Sequence, residues 1–297
     1  MKSSAVVPGL LGGQFDAEFR GQNPSERDQI LEKARDKFVL NEGPWATVMH
    51  VIFNTTKKPF DDPRVRRALS LSIDRWGGSQ ALSKISIMKN VGGIIRPGSA
   101  FGLSEADLAG VPGFGRDIEK ARDEARRLLK EAGVTELKFK LHNRTLGEPY
   151  TPTGIFLIDQ WRRIGVTVEH SQVETKLYFD NLVNGAFEVA VYPQSEPADD
   201  PTGLLTLHMT HANSPMGYAR HTDKRIDDLV EKQLRTLDPG ERMKIVNIVD
   251  KHVLSEAYIV PVHWWQRIIV HNKRIKGWKM GPSHFQGQHL TDVWLEE

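Results

Sequence analysis

One stretch, residues 53–75 (FNTTKKPFDDPRVRRALSLSIDR), constrains the fold of this chain more than any other. Asp61 and Asp62 stand directly before Pro63. Proline suits the first position of a helix because its missing N–H would have no intrahelical partner there, and an aspartate before it can accept from the free amides of the first turn. Asp62 is therefore the expected N-cap. Val65, Ala68, Leu69 and Ile73 follow at helical spacing and gather on one face, which puts Arg64, Arg66 and Arg67 largely on the opposite, wet face. Ahead of the helix, residues 45–53 (WATVMHVIF) are rich in β-branched and aromatic side chains and read as a buried strand.

The remainder alternates in kind. Residues 26–37 carry a weak helical pattern, Gly77-Gly78 is expected to break the junction helix, and residues 92–115 form a long Gly/Pro-rich connection. A helix follows with Ile118, Ala121, Ala125, Leu128 and Leu129 as its inner stripe, stopped by Gly133 in the left-handed conformation. Then come a strand at 137–141, a helix at 154–164 ended by Gly165, a strand at 166–169, a helix at 177–184 ended by Gly185 and a strand at 187–191. Strand, helix, glycine, strand, repeated, is the pattern of an α/β layer with helices packed on a sheet. Helices at 224–237 and 239–255 are separated at Asp238-Pro239, and residues 257–280 are expected to form two strands around a polar turn.

Composition narrows the function. The 297 residues carry a net charge of +2, with Lys and Arg interspersed among Asp and Glu, so no basic stripe for nucleic acid or an anionic membrane is present. There is no cysteine, which excludes a disulfide scaffold, a thiolate metal site and a cysteine nucleophile. No apolar run approaches the roughly 20 residues needed to cross a bilayer, and the first residues, MKSSAVVPGLLGG, make a poor export signal. A nucleophile elbow, a P-loop and a dinucleotide-binding glycine pattern are all missing, so no cofactor is implied.

The junction "FNT…PFDDPRVRRALS.SIDR" closely resembles the signature of the family 5 extracytoplasmic solute-binding proteins of ABC importers, the peptide/nickel-binding proteins. "LIDQWRRIGVTVE" and "LVNGAFEVAVY" extend the resemblance, which covers residues 51–297. It implies a periplasmic-binding-protein-like (class II) second lobe with hinge strands and a C-terminal return segment, the first lobe and leader being absent. Residues 1–55 would then be the end of the first lobe and a hinge strand, 56–255 the α/β second lobe, and 256–297 the return strands and tail. The implied function is reversible capture of a small solute in the periplasm, whether peptide, oligosaccharide or metal chelate, without chemistry, for delivery to ABC permease subunits. A stand-alone cytoplasmic α/β enzyme or sensor domain is the alternative.

Four constellations are candidate contacts. YPQSEPADDP follows a strand and so emerges at the carboxyl end of the sheet, where open α/β folds place ligands. Tyr192, Gln194, Glu196, Asp199 and Asp200 are its candidates, with the acids available to a substrate ammonium. Oligopeptide-binding relatives carry Trp-x-x-Asp before the same proline, whereas Gln194 and Pro197 occupy that spacing here. Trp264 and Trp265 follow; adjacent strand residues point to opposite sides, so at most one faces a given cleft. Tyr218 and Arg220 are expected nearer the cleft, the guanidinium suited to hold a carboxylate bidentately. His208, His211 and His221 lack the spacing of a known metal site and are expected to be exposed polar residues.

Overall fold

Two long strands run through the molecule, and every other element is arranged on them. The computed structural model describes residues 5–196, 198–284 and 289–297. In chain order the elements are α1 (Val6–Leu11), α2 (Pro24–Ala34), β1 (Phe38–Phe53), α3 (Pro63–Leu71), α4 (Arg75–Leu82), β2 (Met88–Asn90), α5 (Glu105–Ala109), α6 (Ile118–Glu131) and β3 (Lys138–Arg144). They continue with α7 (Tyr150–Arg162), β4 (Thr167–Val173), α8 (Thr175–Asn184), β5 (Val189–Ser195), α9 (Thr202–Leu205), α10 (Lys224–Leu234), α11 (Pro239–Glu256), β6 (Ile259–Asn272), β7 (Ile275–Lys276) and β8 (Trp294–Leu295).

The main sheet has the order β2-β6-β1-β5-β3-β4. β1 is antiparallel to both β5 and β6, while β3 runs parallel to β4 and β5. The β1–β6 ladder breaks between Pro44 and Val48. Below the break β1 continues with β6 alone, under a small core of Val6, Val7, Leu10, Ile30, Phe38 and Val270. Above it, the six-stranded part is covered on both faces. Leu141, Val189 and Val191 meet α3 and α7 on one face, whereas Ala190 and Tyr192 meet α8 on the other. The period-2 alternation of β5 dictates that division. The two strands expected in residues 257–280 are β6 and β7, with Lys273-Arg274 as the polar turn between them; β6 is the long one because β1 extends back to Phe38 and gives residues 266–272 a partner throughout, whereas β7 pairs with β8.

The junction forms as its residues require. Asp62 Oδ1 accepts from the Arg64 amide at 2.8 Å, Pro63 opens α3, and Val65, Ala68, Leu69 and Ile73 are buried. Arg66, expected in solvent, is buried instead. Its guanidinium donates to the carbonyls of Phe60, Asp61 and Glu256 and lies over the Tyr258 ring at 4.7 Å. Gly77-Gly78 does not end a helix but lies inside α4, where a Cβ on Gly78 would fall 2.5 Å from Phe156. Asn54 closes the end of β1: Nδ2 donates to Gly185 O and Phe187 O at 3.0 and 2.9 Å, and Oδ1 accepts from the amide and hydroxyl of Thr56. Replacing Asn54 with Ala leaves two buried carbonyls without a donor, an expected loss of about 2–4 kcal/mol. Urea unfolding checks it, and an unchanged midpoint would mean water replaces the amide at little cost.

Candidate functional site

β1, β5 and β6 bring the sequence candidates to one end of the sheet. Val48 faces Gln194 on one side and Trp264 on the other, so the YPQSEPADDP and HWW segments are separated by a single strand. Thr47 pairs with Ser195, their hydroxyls 2.9 Å apart, and the Glu196 amide donates to Ala46 O at 2.8 Å. The acidic segment therefore leaves the sheet beside Trp45, at the break in the β1–β6 ladder.

Trp264 and Trp265 point to opposite faces, as strand geometry requires. Trp264 is buried, and its Nε1 donates to Gly93 O at 2.9 Å. Trp265 is half-buried and meets Trp45 edge to face at 5.5 Å, and Trp45 meets His284 in the same way at 5.5 Å. The indole N–H groups of Trp45 and Trp265 are buried and make no hydrogen bond among the described residues. A cavity of about 280 Å³ lined by Glu42, Gly43, Pro44, Lys89, Asn90 and Gln266 opens at the same end of the molecule. The recess offers the polar groups of Glu42, Lys89, Asn90 and Gln266 to a small polar solute, with the Trp45–Trp265 pair packed at the same end of the sheet.

The acids of the rim are largely engaged from within. Glu196 is buried and accepts from Arg96 Nε at 2.8 Å, and Arg96 Nη2 reaches the exposed Asp199 at 2.7 Å. Burial raises the Glu196 carboxyl above its ordinary range, against the pull of Arg96. Asp200 is bound to Arg242 at 2.7 Å and accepts from the Thr202 amide at 2.9 Å, contacts that hold its carboxyl down to about 2. It caps the turn into α9. Gln194 is buried and donates to Leu204 O at 3.0 Å; Pro197 lies outside the described residues. Tyr192 is buried against Tyr218, ring centroids 5.5 Å apart, and burial pushes both hydroxyls up.

Arg220 is not at this end. Its guanidinium donates to Val183 O and crowds Gly185, ahead of β5, whereas Glu196 lies after β5. A strand of that length separates the two by roughly 20 Å. Arg220 instead lines a cavity of about 640 Å³ with His211, Asn213, Lys224, Asp228 and Glu231, among others. The histidines also differ from expectation: His211 is exposed, but His208 and His221 are buried because residues 206–208 turn inward against β1. His221 Nε2 sits 2.9 Å from His208 O, and the His208 ring meets His50 at 5.5 Å. Among the described residues no group of three or more His, Asp or Glu is placed to hold a metal. Arg96 and Trp45 carry no local signal in the sequence. Their partners lie about 100 and 220 residues away, and only the folded sheet brings them together.

The model of the bacterial extracellular solute-binding proteins, family 5 Middle, matches residues 2–215. The chain belongs to this family. Curated relatives include the periplasmic oligopeptide-binding protein OppA of Escherichia coli K12, 27% identical over 247 residues covering 80% of this chain and 42% of that protein. The glutathione-binding protein GsiB of Escherichia coli K12 is 24% identical over 284 residues, covering 90% and 52%. The family 5 chain thus spans about half the length of the curated relatives it matches. Among solved structures, the Helicobacter pylori periplasmic binding protein DppA in complex with peptide STSA superposes with a TM-score of 0.82 at 21% identity, over 99% of this chain and 55% of that one. Haemophilus influenzae OppA in complex with RPPGFSPFR gives 0.79 at 19% identity, over 99% and 56%. The α/β fold expected from the alternation of strands and helices is therefore that of periplasmic peptide-binding proteins. No helix among the described residues is long and apolar enough to cross a membrane.

Proposed function

We propose that this family 5 chain supplies one wall of a solute-binding cleft and, within the whole protein, delivers a small solute to the permease subunits of an ABC importer in the periplasm without altering it. The observation that carries this reading is the coincidence of the family match with a rim at the break of the β1–β6 ladder, where Trp45, Trp265, Asn90 and Glu196 converge. In this reading residues 56–255 form the lobe, and residues 1–55 and 256–297 contribute the strands about which it moves. Closure on the solute then follows from contacts made only in the closed state. A peptide is the favoured solute, since the relatives named above bind peptides or glutathione. Glu196, Asp199 and Asp200 are each paired with Arg96 or Arg242, and Asp199 is the most exposed of the three, so an ammonium would meet it beside Arg96.

With one wall only, affinity is expected to be weak, a Kd of about 1 mM or above, because half the contacts are absent. Trialanine, reduced glutathione and maltotriose, each titrated while amide and indole NMR signals are followed, test the reading. Shifts centred on Trp45, Asn90, Glu196 and Trp265 are expected for at least one of the peptides. Shifts confined to the cavity around Arg220, or none with any probe at about 10 mM, would overturn the assignment of the rim.

A further inference from the structure

Residues 92–96 cross one face of the sheet, and their path is fixed through their backbone. Trp264 Nε1 donates to Gly93 O at 2.9 Å. Asp250 on α11 is wholly buried, its Oδ1 accepts from the Ile94 amide at 3.0 Å, and the Ile95 amide also bears on the carboxylate. Space for this approach exists because residue 93 has no side chain: a Cβ there would fall 2.5 Å from both carboxylate oxygens. On Gly92 a Cβ would meet Pro97 at 2.8 Å and Trp264 at 3.0 Å. Ile94 and Ile95 then sink into the core formed with Val246, Val249, Val253 and Trp264. Arg96, the next residue, turns out of that core to reach Glu196 and Asp199.

A carboxylate on the buried face of a helix otherwise lined with aliphatic side chains is costly to desolvate, and its Oδ2 has no hydrogen-bond partner among the described residues. An apolar residue would serve packing better. What the carboxylate supplies that an apolar side chain cannot is an acceptor for the Ile94 amide, with the Ile95 amide bearing on the same group, which fixes where the chain emerges.

We propose that Asp250 is a positioning residue: it anchors the backbone of residues 93–95 so that the Arg96 guanidinium stands between Glu196 and Asp199. The importance of this for solute recognition rests on the reading of the rim given above; the linkage from Asp250 to Arg96 does not. Asp250 and Arg96 are not hydrogen-bonded to each other, so a loss at Arg96 on changing residue 250 reports transmission through the backbone.

Hydrogen exchange and NMR of the whole chain, without any ligand, test it. In the unaltered protein the Ile94 and Ile95 amides and the Arg96 Nε–H are expected to exchange slowly at neutral pH. In Asp250→Ala both amides are expected to exchange roughly 100-fold faster, and the Arg96 Nε–H signal to vanish into solvent exchange while the β1–β5 amides stay protected. Asp250→Asn keeps the Oδ1 acceptor and the shape and is expected to retain all three signals. Arg96→Gln is expected to leave the Ile94 and Ile95 amides protected, since the dependence runs from the helix to the rim. Should Asp250→Ala fail to fold, Gly93→Ala pushes the backbone off the carboxylate and is expected to release the Arg96 Nε–H in the same way. A protected Arg96 Nε–H in a folded Asp250→Ala or Gly93→Ala protein overturns the proposal. If Arg96 is released but the trialanine shifts at the rim are the same in both proteins, the positioning stands and the reading of the rim falls.

Discussion

Arg75→Met is expected to destabilise the chain by about 3–5 kcal/mol, a fall of roughly 10 °C in Tm for a chain of this size. Arg75 is fully buried and has no carboxylate partner among the described residues. Nε donates to Pro261 O at 2.9 Å, Nη1 donates to Ser70 O and Gly113 O at 3.0 and 2.7 Å, and Nη2 donates to the Ser70 hydroxyl at 3.1 Å. The Phe114 ring covers the guanidinium at 4.5 Å. One side chain thereby ties the end of α3, the loop at Gly113 and strand β6 together, and methionine fills much of the volume but donates to none of the oxygens. Burial lowers the guanidinium to about 9, so it stays charged at neutral pH and its bonds to carbonyls are the strong, charge-assisted kind. Arg75→Lys keeps the charge yet loses the fork and is expected to fall nearly as far. Arg64→Met, on the wet side of α3, is the control and should leave Tm near that of the unaltered chain. Equal losses at positions 64 and 75 in thermal unfolding would show that the carbonyl bonds contribute nothing beyond helix propensity.

Arg75 gives the end of the junction segment, "SIDR", a structural role that its sequence does not announce. Asn54, Arg66 and Arg75 all serve backbone carbonyls from distant segments, which no apolar residue and no shorter donor can do at the same reach. The local signals of the sequence were sound for a related reason. A cap depends on its neighbours within a turn, so Asp62 and Asp238 cap as expected, and Gly133, Gly165 and Gly185 take positive φ at the chain reversals. What the sequence could not yield was the identity of partners far along the chain. Arg66 looked solvated because Glu256 O, 190 residues on, is invisible to helical periodicity, and Glu196 looked available to a ligand because Arg96, 100 residues back, is invisible to any motif. His208 looked exposed for want of knowing that it packs on His50.

Those buried histidines set the second large effect, an acid instability. Burial holds His50 down to about 3 and His263 down to about 4, against an ordinary value of 6.5, and holds His208 well below that value too, with His50 and His221 adding repulsion. Each is neutral when folded and protonates when unfolded, so the unfolded chain binds more protons below pH 6.5, and stability falls as pH drops from 6.5 towards 4. Asp250 works the other way. Burial pushes its carboxyl up to about 7 from 3.8, the folded chain binds the extra proton between those values, and its contribution is lost as pH rises through 7. His50 and His263 against Asp250 leave these three groups a net slope of about 1.4 kcal/mol per pH unit between pH 6 and 5, and burial of His208 and His221 acts in the same direction as the two histidines. Urea unfolding at pH 7, 6 and 5 measures it. His50→Phe removes a ring whose two nitrogens have no hydrogen-bond partner among the described residues, so it is expected to raise stability at pH 7 and to reduce the slope by about 1.4 kcal/mol per pH unit. An unaltered slope in His50→Phe would mean that His50 already carries its proton, or a partner for it, inside the fold. The position matters because His50 sits on β1 opposite Tyr192 and Pro261, so a charge there would part the strands that carry the rim before it disturbed any residue on the rim itself.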